Sequence, residues 1–376
     1  VFYTDDEGSL ITPEKLPYGR GYSIVEVQAP YGYVLDETPI YFDVTQENSI
    51  EESGVTIIKV NKNNFAQKGT IAVEKTGEVF FGVSVSGGID ESGNELPIIY
   101  QPQYEKRGLP GAVYEVVAAE DIITPDGTVR NHKGDVVDTI ITDENGIAMS
   151  CELYLGEYEV REVTAPNGMV LNPESRFVEL VYAGQNVAVT ETATSFENER
   201  QKVEISLVKS IEQNERFDIG TNGEMKNITF GLFSAEEIVS TSGTFIPADG
   251  LIEIVSLNED GTATIKTDLP YGRYYVQEIA TDSHYKLSDA KYPIIFEYVG
   301  QDTAVVKIAV NDGKAIKNDL IYGSVSGKKV DEDGNALGGA MIGLFRTDDG
   351  EFTKENALMT TTSAKDGSFS FENIPY

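Results

Sequence analysis

The sequence predicts an all-β fold: tandem β-sandwich domains in an elongated array. Three observations lead there. Runs such as Thr70 to Lys75, Val203 to Leu207 and Ile294 to Tyr298 are rich in β-branched and aromatic residues and mostly alternate apolar with polar, the period of a half-buried strand. Gly, Asp and Asn turns separate these runs roughly every ten residues, the spacing of sandwich strands, and no long helical period is present. Finally, one pattern returns four times, and repeats of this kind fix the architecture.

The repeated pattern is a turn glycine after polar residues, a strand, a Leu-Pro-Tyr-Gly-like corner, and a strand in which tyrosine, an aliphatic residue and glutamate alternate. It reads Thr4 to Gly8, Leu16 to Gly19, then Tyr22, Ile24 and Glu26. Next come Thr142 to Gly146, Leu153 to Gly156, then Tyr158, Val160 and Glu162, followed by Asn258 to Gly261, Leu269 to Gly272, then Tyr274, Val276 and Glu278. The fourth copy runs through Lys365, Asp366 and Gly367 to Ile374, Pro375 and Tyr376. An asparagine also precedes a lysine by 11 positions three times: Asn64 and Lys75, Asn198 and Lys209, Asn318 and Lys329. The lysines stand 134 and 120 residues apart, so the repeat is a full domain and not a short solenoid unit. The expected division is 1–66, the later part of one repeat; 67–200, a complete repeat; 201–321, a second complete repeat; and 322–376, the opening part of another. Phe80 to Arg107, near 80–107, is extra length of about 25 residues in the second copy. It reads as a surface excursion, with a ligand-binding loop as the sharper alternative. Ala118 to Asp121 and Ala235 to Ile238 reach no further than single turns.

Composition narrows the function. With 62 acidic and 29 basic residues and a net charge of −33, nucleic acid is not an expected partner, because phosphate binding needs concentrated Lys and Arg. The one cysteine, Cys151, has no internal disulfide partner, and His132 and His284 do not complete a zinc set with it. No metal and no cofactor is therefore expected. Asp331 to Gly334 lacks the alternate ligands of a calcium loop and reads as a hairpin turn. No apolar run reaches 18 residues and no basic-then-apolar leader opens the chain, so this segment is expected neither to enter a membrane nor to carry its own targeting signal.

Strand phase supplies the chemical candidates. Residues two apart on a strand share a face, which places Lys75 with Ile71 and Val73, and Lys209 with Val203, Ile205 and Leu207. By the same rule Glu162 and Glu278 lie on the faces of their tyrosines, Asn198 with Phe196, and Asn318 with Ile316. The plainer reading makes the glutamate strand an edge and the asparagine a turn residue. Isolated buried polar groups cost several kcal/mol, however, so three of them on apolar faces are expected to meet. Burial favours a neutral amine and a protonated carboxyl. A neutral lysine is a nucleophile, and a neighbouring carboxyl can donate to the asparagine carbonyl and carry a proton to departing ammonia, leaving a Lys-Asn isopeptide bond.

The order Lys75, Gly111-Ala112, Thr142 to Gly146, Tyr158 to Glu162, Ala165-Pro166-Asn167-Gly168 and Asn198 resembles the collagen-adhesin B-type repeat, also called the SpaA-type or prealbumin-like domain. Glu26 to Tyr33 and the opening from Lys329 to Ala340 carry the same likeness, which extends over essentially the whole chain. The resemblance implies inverse immunoglobulin sandwiches forming the stalk of a Gram-positive cell-wall surface adhesin or pilin-like protein, hence an extracellular location. It implies no enzyme beyond single-turnover isopeptide formation. It maps the bond-forming lysine onto Lys75, Lys209 and Lys329, the promoting glutamate onto Glu26, Glu162 and Glu278, and the asparagine onto Asn64, Asn198 and Asn318. Pairing falls within a domain: Lys75 with Asn198, Lys209 with Asn318, leaving Asn64 and Lys329 as unpaired halves in this segment. The third copy departs from the pattern, with Ala280 to Tyr285 in place of the Ala-Pro-x-Gly turn. Expected partners are neighbouring repeats of the same chain, in a protein expected to be a monomer. The alternatives are a ligand-binding module for host extracellular matrix or glycan, and accessory domains of a secreted enzyme.

Overall fold

A computed structural model describes residues 1–45, 50–52, 55–89, 92–347 and 349–376. Its elements are strands apart from two short 3-10 turns among the described residues, Glu224–Asn227 and Val310–Gly313. The chain forms two compact units. One comprises Val1–Thr76, Gly108–Pro166 and Leu171–Asn198; the other comprises Gly77–Arg107, Asn167–Val170 and Glu199–Tyr376.

In the first unit, one sheet is built on the strand that begins at Lys68, paired with Ile147–Met149, Leu153–Tyr154 and Val189–Asn198. The facing sheet runs Val136–Ile141, Val113–Ala118, Gly156–Thr164, Arg176–Leu180. Alternation decides what is buried: Ile71, Val73 and Lys75 are inaccessible, whereas Glu74 is exposed. Ile71 and Val73 meet Tyr114, Val116, Tyr158 and Val160 in one apolar core. The earlier residues contribute Gly19–Ile24 paired with Ile40–Val44, and Tyr33–Val34 paired with Phe65–Ala66.

The second unit repeats the plan. Lys202–Ile211 pairs antiparallel with Thr262–Ile265 and parallel with Val305–Ala309 and Ile316–Asn318. The facing sheet is Leu251–Ser256, Thr229–Ser234, Gly272–Ala280, Lys291–Phe296. First and last strands are thus neighbours running the same way, with Lys209 opposite Ile316, two residues before Asn318. Beyond them, Tyr322–Lys328 pairs with Ser368–Pro375, and Met341–Leu344 with Met359–Thr362. Val330 bridges Ala336 around the Asp331 turn, as a hairpin requires.

The extra length in the second copy is not a surface excursion. The strand from Lys68 continues to Ile89, 22 residues, and pairs with Glu95–Gly108; residues 90 and 91 lie outside the described residues. The resulting ribbon belongs to the second unit, where Phe80, Val83 and Tyr100 pack against the core of the third copy. The amides of Thr241 and Ser242 donate to the carbonyls of Phe80 and Phe81 at 3.2 and 3.0 Å. The Arg200 guanidinium lies 3.4 Å from the centre of the Tyr104 ring and pairs with Asp268 at 2.5 Å and Glu78 at 3.2 Å. The ribbon's apolar residues read as excursion because the surface that receives them is more than a hundred residues away in sequence.

A second recurring feature sits in the segments between repeats. Gln67 and Gln201, each three residues after its asparagine, are both 1 % exposed. Gln67 donates to the carbonyls of Gly184 and Val187 and accepts from the Ala183 amide. Gln201 does the same with Gly300, Thr303 and Val299. A primary amide has both donors and an acceptor in one planar group, so it can satisfy a loop's unpaired backbone on both counts.

Candidate functional site

Each complete copy carries its lysine on the first strand, its glutamate on the facing sheet and its asparagine at the end of the last strand. The alternation Ile71, Val73, Lys75 turns the amine inward, and the turn glycine fixes the backbone behind it. The Lys75 amide donates to the Gly146 carbonyl at 2.7 Å, and Lys209 and Lys329 make the same bond to Gly261 and Gly367, each at 2.8 Å. These glycines have φ near +80°, and a Cβ there would stand 2.3 to 2.4 Å from the lysine carbonyl oxygen. Only glycine fits both the left-handed backbone and the contact. The corner tyrosine anchors the other side: Tyr158 donates to the Tyr154 carbonyl and Tyr274 to the Pro270 carbonyl, each at 2.6 Å.

In the second copy the Lys75 amine donates to Asn198 Oδ1 and lies 3.0 Å from Glu162 Oε1. Asn198 Nδ2 donates to both Glu162 oxygens at 3.0 Å. In the third copy, Lys209 Nζ is 2.6 Å from Asn318 Oδ1 and 3.0 Å from Glu278 Oε1, and Asn318 Nδ2 is 2.8 and 3.0 Å from Glu278 Oε1 and Oε2. All six residues are buried, Lys75 completely and Lys209 to 2 % exposure. Burial pushes both amines below the ordinary lysine value, with Glu162 and Glu278 opposing that shift by their charge. The Lys75 amine lies 6.0 Å from the ring centres of Tyr114 and Phe196, so its surroundings are apolar apart from the carboxylate and the amide.

The glutamate's place refines its role. One oxygen, Oε1, touches both the lysine amine and the asparagine nitrogen, so it can take a proton from the first and deliver it to the second. That placement suits the proton-carrying part of the role expected from the sequence. The other oxygen, Oε2, accepts from a backbone amide ten residues on: Asn172 in the second copy, Ser288 in the third and Asp36 in the first.

The remaining candidates do not form a complete set. Glu26 and Asn64 meet, Nδ2 to Oε2 at 2.8 Å, although the strand Gly19–Ile24 ends before Glu26. Lys329 is exposed and donates to the Val330 carbonyl. Sequence reasoning missed three contributors: the Oε2-binding amides, Tyr114 and Thr281. Tyr114 lies opposite Glu162 and its hydroxyl is 3.5 Å from Oε1; Phe230 lies opposite Glu278. That register is not visible in the sequence. Thr281 accepts a bond from Asn318 Nδ2 at 2.9 Å, and it sits in the segment already marked by its departure from the repeat pattern. Among the described residues no group of three His, Cys, Asp or Glu is arranged to hold a metal, and no helix is long and apolar enough to cross a membrane.

Two facing sheets with first and last strands adjacent, each complete copy holding a buried Lys-Glu-Asn set, define a tandem prealbumin-like β-sandwich protein. A family model described as the SpaA prealbumin-like fold domain matches residues 1–56, 98–194, 213–314 and 323–376, and the chain belongs to that family. Among solved structures, the Bacillus anthracis TIE protein is similar at 19% identity and a TM-score of 0.52, over 83% of this chain and 44% of that one. This chain thus spans less than half of that protein's length. BcpA, the major pilin subunit of Bacillus cereus, matches at 15% identity and a TM-score of 0.30, over 82% of this chain and 86% of its own. The full-length major pilin SpaD from Corynebacterium diphtheriae matches at 16% identity and 0.24, over 81% and 80%. Comparison with curated proteins finds no match.

Proposed function

We propose that this chain is a structural stalk segment of a Gram-positive cell-surface protein of the pilin or adhesin type, its complete repeats closed by autocatalytic Lys75–Asn198 and Lys209–Asn318 isopeptide bonds. One observation supports this above the rest: in two copies, a desolvated amine, a carboxylate and a primary amide meet in the core between the first and last strands. The neutral amine attacks the amide carbon. A new C–N bond forms, the proton passes through the glutamate to Nδ2, the old C–N bond breaks and ammonia leaves. The glutamate is regenerated, so each site acts once, without cofactor. Tension entering at the first strand and leaving at the last would then cross a covalent bond and bypass the sandwich. Neighbouring repeats of the same chain are the partners this reading requires.

Intact mass decides it. Each link removes about 17 Da as ammonia, so the folded chain should weigh about 34 Da less than its sequence. Glu162→Ala should restore half of that loss, with peptide mapping showing the Lys75–Asn198 link gone and the Lys209–Asn318 link retained. A folded chain of unshifted mass would sink the reading.

A further inference from the structure

The two complete sites are not copies of one another. At Asn198 the amide nitrogen donates to the two glutamate oxygens among the described residues, and the residue three positions after Glu162 is Ala165. At Asn318 the same nitrogen has a third contact, the Thr281 hydroxyl at 2.9 Å, from the residue three positions after Glu278. The hydroxyl near the carboxylate is exchanged in the opposite sense, Tyr114 in the second copy against Phe230 in the third. We infer that Thr281 is a further reaction residue of the third copy: it orients the Asn318 amide for attack by Lys209 and steadies its nitrogen as that nitrogen leaves. The inference rests on the isopeptide reading.

A primary amide can bind its pocket in two senses that differ by exchanging oxygen and nitrogen. A pocket that offers only acceptors on one side selects the sense with nitrogen there. The two Glu278 oxygens make that selection, the Thr281 hydroxyl holds the nitrogen so placed from a third direction, and Oδ1 is left facing Lys209 Nζ at 2.6 Å. As the C–N bond lengthens, the nitrogen becomes pyramidal and gains a lone pair. A hydroxyl accepts and donates equally well, so the Thr281 O–H can turn and donate to that lone pair while Glu278 delivers the proton taken from Lys209. Thr281 neither gains nor loses a proton overall. It gives the third copy a hydroxyl where the second copy has Ala165, in the segment where its sequence leaves the repeat pattern.

The test follows link formation in the full chain after a pulse of cell-free synthesis, with samples quenched in denaturant and the two cross-linked peptides quantified by mass. Linking in the second copy serves as an internal clock for folding. Thr281→Val keeps the shape of the side chain and removes the hydroxyl; Thr281→Ser keeps the hydroxyl and removes the methyl. The Val variant should slow the Lys209–Asn318 link about fivefold, the kinetic equivalent of one ordinary hydrogen bond, with the Lys75–Asn198 link unchanged, and the Ser variant should link close to the wild-type rate. A Val variant linking at the wild-type rate would overturn the role of Thr281 and leave the isopeptide reading intact. Equal slowing by Val and Ser would also overturn it, by assigning the effect to packing. Absence of the Lys209–Asn318 peptide from the wild-type chain would defeat the underlying reading for this copy, and the inference with it.

Discussion

At the scale of single residues, the amines of Lys75 and Lys209 would set the chemistry of the proposed links. Their cost as buried cations is what would make them nucleophiles: desolvation lowers both from the ordinary value of 10.5. The consequence for pH has a definite sign. A lysine whose folded value is depressed binds its proton more weakly in the native chain than in the unfolded one. Before linking, it therefore destabilises the fold fully below its folded value, and this penalty disappears as pH rises toward 10.5. The neutral fraction rises over the same interval. Linking rates measured by quenched mass analysis should accordingly climb in both copies as pH rises through the folded lysine value and level off above it, and a rate that falls with rising pH would contradict amine attack as the limiting step. The phase of each lysine could be read from its strand. Thr281 and Tyr114 could not be placed in this way, because their contacts depend on cross-strand register and on a loop without periodicity.

At the scale of elements, the ribbon formed by residues 77–89 and Glu95–Gly108 changes the picture most. Its residues were legible as inserted length, but its destination was not: Phe80, Val83 and Tyr100 pack on the core of the third copy, and Arg200 clasps Tyr104, Asp268 and Glu78. The Arg200 side chain is only 9 % exposed, so its pairing is less screened than that of a surface bridge such as Arg161 with Glu115, whose side chains are 45 % and 29 % exposed. Arg200→Ala should destabilise the second unit by about 1–3 kcal/mol and accelerate hydrogen exchange at the amides that tie Thr241 and Ser242 to the ribbon. Arg161→Ala should cost less than about 1 kcal/mol. Equal effects in urea denaturation would mean that the clasp is a surface decoration. The buried Gln67 and Gln201 make the same general point. Their place three residues after the asparagine is plain in the sequence, but only the fold shows a loop arriving with unpaired backbone groups for each to satisfy.

For the whole molecule, the proposed links would tie together residues 123 and 109 positions apart, and the loop-closure model assigns each about 4–5 kcal/mol through the unfolded state. Lys75→Met combined with Glu162→Gln tests this without stranding a buried charge, since the pair removes the amine and neutralises its carboxylate partner at approximately constant volume. The expected result is a loss of about 4–5 kcal/mol from the first unit together with faster proteolysis of the opened chain; an unchanged unfolding midpoint would show that no link contributes to stability. The sequence by itself determined the all-β class, the repeat and the inward phase of Lys75, Lys209, Glu162, Glu278, Asn198 and Asn318, whereas the expected pairing of Lys75 with Asn198 and Lys209 with Asn318 came from the resemblance to the B-type repeat. The class, the repeat and the phase follow from period-two alternation and from identity of position within a repeat, both local properties of the chain. Tertiary structure alone decided that one carboxylate oxygen bridges amine and amide nitrogen, that a threonine joins one site and a tyrosine the other, and that the inserted ribbon completes the core of the following copy. These depend on which surfaces meet across sheets and between repeats, and contact between distant segments leaves no period in the sequence that makes it.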